Sequence, residues 1–158
     1  MCNKYRVVVV VLVGIIGAMA YKFMIQGSVT DSSDGRSAIQ LDGAERDLVL
    51  SEMRMFLSSL QTITENIPKG DMSAVTVAAR TVGRAAQQAV PASLMGKLPM
   101  EFKQLGFDTH TRFDQLALDA EQMGDSEQVL QQMGRLMQNC VACHAAYRID
   151  QVSQISGK

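Results

Sequence analysis

The sequence predicts an all-α protein: an antiparallel four-helix bundle behind an N-terminal signal or anchor segment. Three observations carry that expectation. Four stretches beyond residue 41 repeat apolar residues at alternating steps of three and four, the period of a helix face buried in a bundle. No segment holds a period-two alternation bounded by turns, so no sheet is expected. The chain opens on basic residues followed by an unbroken apolar run.

Lys4 and Arg6 form a basic n-region, Val7 to Ile16 is the apolar run, and Gly17-Ala18-Met19-Ala20 fits a small-residue cleavage site with Tyr21 as the new first residue. The run is shorter than the ~20 residues a spanning helix needs. Phe23, Met24 and Ile25 nevertheless extend it past Lys22, whose long side chain can snorkel. Residues 1–25 are therefore a cleaved signal peptide or a retained membrane anchor acting through residues 7–25. Either delivers the remainder across the membrane. Cys2 precedes the run, the wrong place for a lipoprotein cysteine, and is expected to take no part at the site below. Gly, Ser, Thr and Asp without helical periodicity make residues 26–37 a flexible linker. Residues 38–158 form the bundle domain, of a size for one core.

The first helix is expected from about Asp42 to Asn66, with Val49, Met53, Phe56, Leu60 and Ile63 on its seam and Pro68-Lys69-Gly70 as the stop. The second runs from about Asp71 to Ala89. Its seam of Val75, Ala79, Val82, Ala86 and Ala89 is small enough for close backbone approach, and Pro91 ends it. Residues 90–107 are long for a connection and too apolar for a solvated loop. They read as a crossover covering the site or the bundle end. The third helix runs from about Asp108, a plausible N-cap, to Met123 before Gly124. The fourth runs from about Ser126 to Arg148. Its seam is Val129, Met133, Leu136, Cys140, Cys143 and Tyr147. The short connections within each pair imply antiparallel neighbours.

On the buried stripe of that last helix lies Cys140-Val-Ala-Cys143-His144, the C-x-x-C-H signature of covalent haem attachment. Two thiols add to the two vinyl groups of one haem, and the adjacent imidazole becomes the axial iron ligand. Positions i, i+3 and i+4 share one helix face, so all three side chains meet the same haem edge. A thioredoxin-like C-x-x-C belongs beside a βαβ pattern, and a structural zinc site needs four ligands. Neither context is present. Export agrees with the motif, because c-type haem is attached outside the cytoplasmic membrane.

Composition excludes other classes. The formal net charge is -1 with no basic run, which argues against a nucleic-acid partner. The chain has 2 His, too few for a multi-His metal site. No phosphate loop or catalytic Ser/His/Asp grouping stands out.

Residues 139–148, Asn-Cys-Val-Ala-Cys-His-Ala-Ala-Tyr-Arg, resemble the C-terminal motif of the cytochrome c′ family, and the resemblance extends loosely over residues 45–150. Cytochrome c′ is a four-helix bundle. The resemblance implies one covalent haem c on Cys140 and Cys143, with His144 as proximal iron ligand. It implies Arg148 near the proximal face and propionates; the other reading of Arg148 is a cation complementing the helix dipole. Tyr147 either packs on the porphyrin or is core. The distal position separates members with a Met ligand, suited to electron transfer, from five-coordinate members that bind small gases such as NO. Met53 is the candidate ligand, because it lies on the inward seam, whereas Met55 is rotated about 200° from it. His110 is expected to face solvent. The leading expectation is a periplasmic electron carrier, with its redox partner unidentified and a homodimer left open. The alternatives are a five-coordinate gas-binding protein and a haem-free helical module with a redox dithiol. The anchored form would sit at the inner membrane.

Overall fold

The computed structural model describes residues 2–152, apart from the side chains of residues 2, 3 and 89. The Cys2 thiol and residues 153–158 of the expected domain therefore lie outside the described residues. Helix α1 (Cys2–Ala20) continues through a π-helical turn, Tyr21–Gln26. The Lys4–Gln26 stretch is long and apolar enough to cross a membrane, and none of its apolar window is buried against the rest of the chain.

Helix α2 (Gly43–Asn66) starts on a capping box. The Asp42 carboxylate accepts from the Glu45 amide at 2.9 Å, and the Glu45 side chain accepts from the Asp42 amide at 3.3 Å. Gly70, at φ 68°, turns the chain out of the stop that Pro68 begins. Helix α3 (Met72–Thr81) is capped by Asp71, which accepts from the Ala74 amide.

The second expected helix ends at Thr81 instead of Ala89, and a 3-10 turn (Arg84–Ala89) follows. The cause is a side chain from elsewhere. The Asp114 carboxylate accepts from the Arg84 amide at 3.0 Å and lies so close to Gly83 that any Cβ there would collide with it. The apolar crossover folds as α4 (Ala92–Lys97), with Leu94 and Leu98 buried.

Helix α5 (Met100–Met123) begins eight residues before the expected start, directly after Pro99. Asp108 does not cap it. Its carboxylate takes hydrogen bonds from Arg112 on the same helix and Asn139 on α6 (Ser126–Ala146). Gly124 stops α5 at φ 63°, and Asp125 caps α6.

The expectation of no sheet is overturned by three short strands. β2 (Ser37–Leu41) pairs antiparallel with β1 (Val29–Asp31) and parallel with β3 (Tyr147–Gln151), Ile39 standing opposite Val29 and Ile149. The stretch expected as a flexible linker therefore carries β1 and a hairpin. The strands are too short for a periodic signal, and β3 pairs with residues more than a hundred positions earlier in the chain.

The helices after β2 still make an all-α bundle. α2 packs on α3, α3 on α5 and α5 on α6. One core, with Phe56, Ile63, Val75, Ala79, Phe113, Leu116, Val129 and Leu136, draws on all four. Phe56 and Phe113 stack with centroids 5.5 Å apart. Each fully buried Ile, Val, Leu or Phe side chain among them contributes about 1.5–3 kcal/mol. A second cluster, with Ile39, Leu41, Val49, Leu94 and Leu98, joins the sheet and α4 to the start of α2, and Met53 packs against both.

Candidate functional site

Cys140, Cys143 and His144 all line one cavity of about 440 Å³, as their shared helix face requires. α2 supplies Met53, Phe56, Leu57 and Leu60 to its walls, and α5 supplies Phe102, Leu105, Gly106, Thr109 and His110. The cavity thus opens between α2 and α6, with α5 behind it. Its size and apolar lining suit a small-molecule or cofactor site. A Cβ built on Gly106 meets nothing within 4 Å, so the α5 wall leaves room for a flat group.

The two cysteines are free and half-buried. Burial pushes both thiols up, Cys143 to about 11, with the neighbouring Cys140 adding to that rise. A redox dithiol needs the opposite, a thiolate stabilised near neutral pH. His144 is exposed on the last turn of α6.

Met53, half-buried, lines the same cavity from α2. Met55 is 44% exposed and lines a different cavity. Arg148 is not on α6, because the helix ends at Ala146. It lies on β3, where it is bound to Asp150 at 2.8 Å and Asp34 at 3.4 Å, and it is not among the cavity-lining residues. Tyr147 also lies outside the lining. It stands edge-on to Phe102 and donates to Glu101 at 3.2 Å, and burial together with that carboxylate pushes its hydroxyl up to about 12.

Three features went unread in the sequence. Arg36, at the end of the β-hairpin, donates to the carbonyls of His144 (3.3 Å) and Tyr147 (3.4 Å). It supplies the helix-end cation that Arg148 was a candidate for, and it fixes the backbone that carries His144. Asp34 holds Arg36 in place at 2.6 Å.

His110, expected in solvent, is 3% exposed. Its Nδ1 lies 2.7 Å from the Val82 carbonyl, its Nε2 lies 3.2 Å from Glu52, and its ring packs against Phe56. Burial draws its pKa down, but the Glu52 carboxylate and the Val82 and Gly83 carbonyls outweigh that and raise it. The expectation failed because α5 starts early, which puts residue 110 in mid-helix instead of at an exposed start. Arg54, next to Met53, is the third. It is the one Lys or Arg among the described residues lining the cavity.

Residues 97–148, which span the end of α4, all of α5 and α6 and the first residues of β3, match the family model described as Cytochrome C'. No curated protein and no solved structure matches the chain.

Proposed function

From the match of residues 97–148 to the cytochrome c′ family model, we propose that the protein is an exported c-type cytochrome, held at the membrane by α1, that carries electrons on one covalent haem. The single observation behind this reading is the convergence of Cys140, Cys143 and His144 on an apolar cavity that has Met53 on a facing wall.

In this reading Cys140 and Cys143 would hold the haem through thioether links, and His144 and Met53 would supply ligands to its iron. Bound there, haem c supplies a one-electron iron couple. The chain's own residues do the rest. Phe56, Leu60, Phe102 and Leu105 give the cavity apolar walls, and low dielectric with a thioether ligand would raise the potential. Arg36 holds the α6 terminus and so limits the motion of His144. The raised cysteine pKa values weigh against the haem-free dithiol reading.

One observation favours a second reading. Leu57 and Leu60 share the α2 wall with Met53, so a Met53 that stays off the iron leaves apolar room for a small gas such as NO.

Absorption spectra of exported protein, made with haem-attachment machinery, test both readings. Low-spin bands with a Met–iron charge-transfer feature support the carrier. High-spin ferric bands transfer the assignment to gas binding. Protein that leaves the machinery without haem contradicts both.

A further inference from the structure

Behind the wall formed by Glu52, Phe102, Gly106 and His110 lies a second cavity of about 350 Å³, and those four residues line both cavities. Most of the remaining lining is apolar, with Val49, Leu94, Met95 and Leu98 at its base.

Its outer edge is where the N-terminal apolar helix is fastened. Lys103, a lining residue, donates from Nζ to the Met24 carbonyl at 3.0 Å, and the Ser28 amide donates to the Lys97 carbonyl at 2.6 Å. Gly27, at φ 68°, passes so close that a Cβ would lie 2.5 Å from the Lys97 oxygen. The cavity thus lies beside the junction of the apolar helix with the bundle.

The inner wall carries Glu52. One of its oxygens lies 3.2 Å from Nε2 of His110, and the partly exposed side chain lines this cavity as well as the first. A carboxylate oxygen accepts from a hydroxyl and repels an acid. Phe102 and Phe107, both on α5, add flat apolar surface to the lining.

We propose that this cavity binds a membrane-borne quinol, its ring against the apolar lining and one hydroxyl donating to Glu52. The proposal rests on the reading of α1 as a retained anchor. It puts the class of molecule that donates electrons from membranes one layer of side chains from the proposed haem cavity.

Photolabelling tests it. Full-length protein in proteoliposomes is irradiated with an azidoquinol, and labelled peptides are mapped by mass spectrometry with and without excess decylubiquinol. Label is expected on Leu48–Met55 and Met95–Phe107, displaced by decylubiquinol and not by palmitate. Met55→Trp, which fills the mouth from an exposed position, should cut labelling about five-fold or more. Glu52→Gln should weaken the competition about ten-fold.

Label confined to α1, label that decylubiquinol fails to displace, or displacement by palmitate to the same extent overturns the quinol site. The haem spectrum and the membrane fraction of the same sample are read separately. Lost labelling beside an intact spectrum in the membrane fraction refutes this site alone, and specific labelling of haem-free protein leaves it standing.

Discussion

The Glu52 carboxylate lies 3.2 Å from Nε2 of His110 and joins α2 to α5 across the wall between the two cavities. The other ring nitrogen is 2.7 Å from the Val82 carbonyl. Both nitrogens thus meet acceptors, and a ring can satisfy both only by carrying a proton on each.

This pair sets a pH dependence. The folded-state pKa of His110 lies above its ordinary value of 6.5. Its stabilisation is complete below that ordinary value and disappears as pH rises through the raised one. Denaturant midpoints of the wild type should fall as pH is raised through neutrality. Glu52→Gln should flatten that slope, and an equal slope in the variant would assign the pH dependence to another group. His110→Ala should cost about 2–3 kcal/mol at pH 6, because it strands the carboxylate and the Val82 carbonyl.

Cys140→Ala combined with Cys143→Ala should abolish haem that survives acid extraction, read by haem staining of a denaturing gel. His144→Ala should remove the proximal ligand and lower the yield of matured protein. Covalent haem retained in the double variant would refute the attachment site.

Met53→Leu should convert a low-spin spectrum to high-spin, open the iron to CO or NO, and lower the potential, since a thioether ligand favours ferrous iron. Met55→Leu should change none of these, because that side chain lines the other cavity. Absorption spectroscopy and a potentiometric titration read both variants. An unchanged Met53→Leu spectrum would move the distal position elsewhere.

Mass spectrometry of the native protein should find the leader intact and the chain in the membrane fraction. Tyr21 as the first residue would mean cleavage. Gly27→Val should loosen the junction, because its backbone is left-handed and its Cβ would strike the Lys97 oxygen. Limited proteolysis should then cut between residues 26 and 36 faster than in the wild type.

The parts of this chain that local chemistry governs were readable in order. Asp42 as the start of α2, Gly70 and Gly124 as stops, and the common face of Cys140, Cys143 and His144 follow from caps, φ preferences and a 3.6-residue period, all of which act within a few positions. What went unread involves partners far apart. Asp114 cuts the second helix short at Gly83, β3 recruits β2 from across the chain, and Arg36 reaches the end of α6. Arg148 shows the same division. The helical period that runs through Cys143 predicts helix as far as Arg148, but the backbone after Ala146 pairs with β2 instead, and the side chain lies outside the cavity lining. His110 looked exposed because its surroundings come from α2 and the Val82 carbonyl, and no sequence window contains those contacts. Short-range periodicity specifies which faces are apolar. Which faces meet, and what is trapped between them, depends on pairings whose chain separation leaves no periodic trace.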